Sequence, residues 1–224
     1  MEKSTVPAAQ RASRGERTRQ EILAAATEHF ARHGYAGARI EAIAEDAHLS
    51  GPALLYHFSD KRHLYVATLE RAFAGLAEDL ARALAADAPL ADRIEAAVLA
   101  WLDFLAARPA VARIVLREGA AASPELADDF APIAAPLLAM LDQIYEEGRR
   151  TRVFRDDPVE PLHLVSAVVG TSVFFIAAIP TLLPRPDFDP LDVERLEAHG
   201  RELLTIVRRL LGLREPRLVS GGNL

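Results

Sequence analysis

The chain has 224 residues, 50% of them hydrophobic, and no cysteine. That length can bury a core in one or two domains, and the missing thiols exclude disulfides, redox sensing and cysteine-ligated zinc, as suits a cytoplasmic protein. The net charge of −6 argues against nucleic acid until its distribution is read: residues 1–63 carry nine Lys or Arg against eight Asp or Glu, the rest 17 against 24, a faintly basic leading part on an acidic body.

Alanine, leucine, arginine and glutamate dominate, and β-branched alternation is missing, so the expected fold is all-α. Met1 to Arg14 is polar and lacks a signal peptide's apolar segment. A first helix runs from about Arg14 to His33, with Ile22, Leu23, Ala26 and Phe30 inward, and stops at Gly34. Arg11, Arg14, Arg17 and Arg19 make a basic arm and first helical turn. Ile40, Ile43, Ala44 and Ala47 then recur at i, i+3, i+4, i+7, one apolar stripe on a second helix. Ser50 is a good N-cap, and Gly51 and Pro52 open a third helix where proline's missing N–H costs nothing. Leu54, Leu55 and Phe58 give that helix an inner face. Gly51, Pro52, Ala53, Tyr56 and His57 look outward. Two short helices crossed by a brief turn are a helix-turn-helix, whose second helix enters a DNA major groove.

Ser59 or Asp60 caps a long helix through Leu64, Leu69, Phe73, Leu76 and Leu80 towards Ala86. A helix after Pro89 carries Trp101, Phe104 and Leu105, and a shorter one covers Val111 to Gly119. Ser123-Pro124-Glu125 caps the next, with Leu137, Met140, Leu141, Ile144 and Tyr145. Pro158 opens another, a proline-rich loop spans Pro180 to Pro190, and a last helix runs from Leu191 to Leu211 with Leu196, Leu203, Ile206, Val207 and Leu210 on one face. From Leu162 to Leu183 no Asp, Glu, Lys or Arg occurs across 22 residues, about 33 Å of helix and enough for a bilayer. Pro180 interrupts that stretch, His163, Ser166, Thr171 and Ser172 dilute it, and no aromatic belt flanks it. A buried helix is therefore expected and no membrane span. Ser166 and Gly170 would let a partner helix approach closely.

With these elements in hand, the chain resembles the TetR family of bacterial transcriptional regulators. The matching residues are Arg19, Ile22-Leu23, Ala25-Ala26, Phe30, Gly34-Tyr35, Ile43-Ala44, Ala47, Leu49-Ser50, Leu54, His57-Phe58, Lys61 and Leu64. The resemblance implies a three-helix DNA-binding head at 14–62, with the motif at about 39–58. It implies a larger ligand-binding and dimerisation body at 63–214, about nine helices in all, with 1–13 and 215–224 disordered. It also implies a homodimer that binds double-stranded operator DNA, most commonly as a repressor, and is released by a small, largely apolar ligand.

Four features depart from the family pattern. The hydroxyl pair before the first motif helix is Ala38-Arg39, which loses a side-chain cap worth about 1 kcal/mol; Arg39 offers a phosphate contact instead. The corner glycine is His48, strained by roughly 1–2 kcal/mol if φ is positive there. Leu55 replaces a tyrosine, and Ala53 a threonine.

The DNA-contacting set is then Arg39, Ser50, Gly51, Pro52, Ala53, Tyr56, His57 and Lys61, with Lys61 in the first turn of the long helix facing phosphates. Trp101, Phe104, Met140, Gln143, His163, Thr171 and Phe174 are the candidate pocket, although core packing explains each one singly. No phosphate-cradling glycine loop, HExxH or nucleophile elbow occurs. His29 and His33 stand four apart without a third ligand nearby. No enzyme, metal or cofactor is expected. The rival reading is a helical small-molecule-binding protein that does not bind DNA.

Overall fold

A computed structural model describes residues 8–121, 124–154 and 158–213; of the expected tails at 1–13 and 215–224, residues 1–7 and 215–224 lie outside these, as does the Ser123 cap, whereas residues 8–13 belong to the first helix. Among the described residues every regular element is a helix. These are α1 (Ala8–Gly37), α2 (Ile40–Asp46), α3 (Gly51–His57), α4 (Lys61–Ala72), α5 (Leu76–Leu84), α6 (Leu90–Ala107), α7 (Pro109–Ala121), α8 (Pro124–Thr151), α9 (Pro161–Ala177), α10 (Ile179–Leu182) and α11 (Val193–Leu211). This is the all-α fold expected from composition, with more breaks than expected.

The chain forms two compact units. The first comprises Met1–Ala74 with Arg108–Ile133, the second Gly75–Ala107 with Ala134–Leu224. The expected single helix from Asp60 to Ala86 is corrected to two, because α4 ends at Ala72 and Gly75 sits at φ 84 before α5, a left-handed conformation that only glycine adopts freely. Likewise the helix expected to open at Pro158 begins at Pro161. α8 contributes to both units, and the division at Ile133–Ala134 falls between Pro132 and Pro136, where two ladder donors are missing.

In the first unit α1 packs on α2, α4 and α7. Ile22, Phe30, Ile43, Leu54, Phe58, Leu64, Tyr65 and Leu69 are fully buried there, joined by Ala110, Ile114 and Leu126. At about 25 cal/mol per Å2 of apolar surface, each large side chain contributes roughly 1.5–3 kcal/mol against its exposed state. Side-chain ties also bind α1 to later segments, among them Arg71 donating to Gln20 at 3.0 Å and Arg113 reaching Glu28 at 3.3 Å.

In the second unit Leu90, Ile94, Val98, Tyr145, Phe154, Leu164, Leu203 and Val207 form the core. Arg93 grips Glu147 through two 2.9 Å bonds and also donates to the Leu84 carbonyl. This bidentate guanidinium contact holds the Glu147 carboxyl below its usual range. Arg208 grips Glu95 in the same way, at 2.6 and 2.7 Å. The Tyr145 hydroxyl donates to the Val159 carbonyl, and burial pushes its pKa up to about 12. α9 is not buried on all sides in the single chain: Leu162, Ser166, Gly170 and Phe174, four residues apart, are all exposed. No described helix is long and apolar enough to cross a membrane.

Candidate nucleic-acid interface

The corner between α2 and α3 is built from its backbone outward. α2 starts without a side-chain cap at Arg39, as Ala38-Arg39 leads one to expect. It ends with His48 in the left-handed region at φ 57. The His48 N–H donates to the Glu45 carbonyl at 2.9 Å and the Leu49 N–H to Ala44 at 2.8 Å, the paired bonds of a Schellman motif. These bonds, with Leu49 packed on the core, hold a histidine where glycine would be unstrained. The corner does require positive φ, so the strain anticipated from the sequence is present.

Ser50 then turns the chain into α3. Its Oγ accepts from the Ala53 N–H at 3.3 Å, with Pro52 in the first turn. Leu54 and Phe58 are fully buried and anchor the helix. Leu55, assigned to the inner face, is instead 44% exposed, because a seven-residue helix buries one narrow row. Tyr56 is 88% exposed, and the half-buried His57 ring meets it edge-on at 5.6 Å. Ser50 and Pro52 are exposed, and Gly51 and Ala53 half-exposed. A Cβ added to Gly51 would meet nothing within 4 Å, so the outer side of α3 stands clear of the rest of its unit.

Cationic groups occur on the neighbouring elements of the unit. Arg39 is largely exposed and loosely paired with Glu41 at 3.8 Å. Arg19 lies over the Phe58 ring at 4.9 Å, which fixes it beside α3. Arg17 pairs with Glu21 on the exposed side of α1; the side chains of Arg11 and Arg14 lie outside the described residues. At the start of α4 the Asp60 carboxylate caps His63 at 2.8 Å. The bonds from the His63 N–H and the Ser59 hydroxyl hold its pKa below the ordinary value. His63 was absent from the sequence-derived set, yet its exposed ring sits at this junction, with Nδ1 facing the Ser59 N–H at 3.3 Å.

Lys61 is not a free surface lysine. Its Nζ donates to the Ala36 carbonyl at 3.1 Å and lies 4.9 Å above the Tyr35 ring. Burial lowers its pKa, against the opposing charge of Glu118. A phosphate would recruit an ammonium already aimed by the protein, which reduces the ordering cost of the contact.

The pocket candidates scatter across the second unit. Trp101 and Phe104 are buried and stacked at 6.1 Å. Met140 and Thr171 are half-buried, whereas Gln143, His163 and Phe174 are exposed in the chain by itself, His163 beside Glu160 at 3.5 Å. Among the described residues of this unit, two buried polar side-chain atoms have no hydrogen-bond partner, Trp101 Nε1 and His199 Nε2. His199 was not among the candidates; it stacks on Phe175 at 4.0 Å, and burial lowers its pKa. Among the described residues no group of three metal-ligating side chains occurs. His29 instead pairs with Asp46 at 2.7 Å.

Two family models match the chain. Residues 22–68 match that of bacterial regulatory proteins of the tetR family, and residues 91–207 match the tetracyclin repressor-like C-terminal domain. The HTH-type transcriptional activator FasR of Mycolicibacterium smegmatis is 34% identical over 109 residues, covering 49% of this chain and 50% of that protein. The chain thus spans about half the length of that relative. The HTH-type transcriptional repressor NicS of Pseudomonas putida is 30% identical over 151 residues, 66% of this chain and 70% of that one. Among solved structures, a transcriptional regulator SCO4942 from Streptomyces coelicolor superposes with TM-score 0.61 at 26% identity, covering 88% of this chain and 99% of that one. FadR from Bacillus subtilis, solved in complex with stearoyl-CoA, shares the fold with TM-score 0.67 at 17% identity, covering 87% and 99%.

Proposed function

From the premise that this chain belongs to the TetR family of bacterial regulatory proteins, DNA-binding transcriptional regulators, we propose that it is a repressor. It binds operator DNA as a homodimer through residues 14–62 and is released when the 63–214 body takes up a small, largely apolar effector. The observation that carries the reading is α3: capped by Ser50, anchored by Leu54 and Phe58, with Tyr56 88% exposed and Lys61 pre-aimed beside it. Arg39, Ser50, Tyr56, His57 and Lys61 supply phosphate contacts, while Gly51, Pro52 and Ala53 bring the backbone near base edges. Few hydrogen-bonding side chains face the bases, so thymine methyls, Arg39 and DNA shape carry specificity.

The exposed row Leu162, Ser166, Gly170 and Phe174 supports α9 as the two-fold contact, with α11 beside it. A two-fold dimer sets recognition helices about 34 Å apart, one turn of B-DNA. The unpartnered Trp101 Nε1 and His199 Nε2 support a ligand with an apolar bulk and one polar end, since buried polar atoms are ordinarily bonded. Release requires the ligand to prefer a body conformation that mis-spaces the heads. A coupling of about 1–3 kcal/mol lowers operator affinity some 5- to 150-fold. We place the protein in the cytoplasm, where its DNA is.

The test is fluorescence anisotropy with a 30-bp duplex selected from a random pool (~30 bp spans two half-sites and their flanks), at low and moderate salt. Selection of an inverted repeat, bound more tightly than scrambled sequence, is the expected result. Failure to enrich any duplex would leave the helical ligand-binding protein as the reading.

A further inference from the structure

α1 is broken at Gly34, where φ is 68 and ψ 175. In an unbroken helix the Tyr35 N–H would donate to the Ala31 carbonyl, four residues back. Here both halves of that bond belong to consecutive residues of α7. The Tyr35 N–H donates to Glu118 Oε1 at 2.7 Å, and Arg117 Nε donates to the Ala31 carbonyl at 3.4 Å. Three residues on, the Ala38 N–H again donates in the helical pattern, to the Gly34 carbonyl at 3.1 Å. Glu118 is 8% exposed. Its charge bears on Lys61 and on the fully buried Tyr65, whose hydroxyl burial pushes far up. Gly34 is favoured by its positive φ, and an added Cβ would lie 3.0 Å from Arg117 Cδ, so that side chain would have to shift by a few tenths of an ångström.

We propose that Glu118 is a positioning residue for DNA binding. By taking the Tyr35 N–H it keeps α1 broken at Gly34, and the angle of that break sets where α2 and α3 stand and where Lys61 reaches. A carboxylate suits the task, because its charge makes the N–H bond strong and also favours the Lys61 ammonium. The clamp comes from a segment, Arg108–Ile133, whose two chain ends both continue into the second unit. It is therefore the stretch of the later sequence that takes direct hold of the recognition unit. The inference rests on the DNA-binding reading above, and the experiment separates the two.

The parent, Glu118→Gln and Glu118→Leu are compared by anisotropy on the duplex selected by the parent, and by hydrogen exchange at the Tyr35 amide. Glutamine keeps an acceptor oxygen and loses the charge; leucine loses both. Leucine should bind about tenfold more weakly or worse and expose the Tyr35 amide, as a buried donor stripped of its partner must. Glutamine should stay within about threefold of the parent and keep the amide slow, a rescue that loss of packing alone would not produce. Leucine binding at parental strength, or glutamine failing as far as leucine, overturns the proposal. Should leucine fail to fold, the parent's Tyr35 amide decides: protection of about a hundredfold or more upholds the clamp, and exchange at the rate of an unstructured peptide overturns it. A parent that selects no duplex sinks the regulator reading instead, while the amide still reports on the clamp.

Discussion

α3 and α9 both hold apolar side chains out into solvent, against opposite electrostatic backgrounds. α3 exposes Leu55 and Tyr56 in a unit that carries Arg39, Arg19 and Lys61 on its adjoining elements. α9 exposes Leu162 and Phe174 within 22 residues that carry no formal charge. Apolar exposure is common to both and does not by itself tell them apart. The charge around them separates the partners: cations with a phenol suit a polyanion, and an uncharged row with Gly170 at its middle suits a second helix of the same kind. The overall charge of −6 hides this contrast, because it averages a binding edge with an acidic body.

The strongest way to break the comparison is to put a charge on the α9 row. Gly170→Glu leaves the isolated chain intact, since an added Cβ meets nothing within 4 Å. It should convert the proposed dimer to a monomer in sedimentation and weaken operator binding by about a hundredfold or more, through loss of the second half-site. An unchanged sedimentation coefficient would remove α9 from the interface. Next in size is Lys61→Ala, which should weaken selected and scrambled duplexes alike by about fivefold and lower the salt slope by about 0.9, one phosphate's worth. Parental slope in that variant would mean that Lys61 serves only the Ala36 carbonyl and the Tyr35 ring.

Two smaller effects sharpen the picture of the corner itself. Ser50→Ala should cost about 1 kcal/mol, read as a melting temperature lower by about 2–4 °C, because the Ala53 N–H loses its acceptor. His48→Gly should act in the opposite direction, stabilising by about 1 kcal/mol or less, as relief of the left-handed strain outweighs glycine's added entropy. Its salt slope on DNA should not move. A lower melting temperature there would show that the His48 side chain contributes more than its backbone strain costs.

Much of the recognition unit was legible because its signals are local. Ser50, Gly51, Pro52 and Leu54 fall within one helical turn, and each fills the role its residue type indicates. Positive φ at His48 was a condition raised by the resemblance, in which a glycine holds the corner, and the structure meets it. Leu55 was misplaced because a three-residue inner face was assumed for a helix of seven residues. In the body, periodicity found helices but not their breaks: Gly75 splits the expected long helix, and the run of apolar positions Leu64, Leu69, Phe73 and Leu76 continues across it. The pocket candidates were chosen as aromatic or polar residues on apolar helices, a criterion that His199 meets only once its stacking on Phe175 is known.

The sequence by itself determined the helical class, the capped turn into α3 and the uncharged stretch that becomes α9, since each depends on residues within a few positions of one another. Tertiary structure alone decided that Glu118 holds the Tyr35 amide from 83 residues away, that Lys61 is braced against Ala36, and that one side of α9 stays open. Local propensity acts over a single turn, whereas a buried carboxylate finds its donor only after distant helices have packed and excluded the water that would otherwise satisfy both.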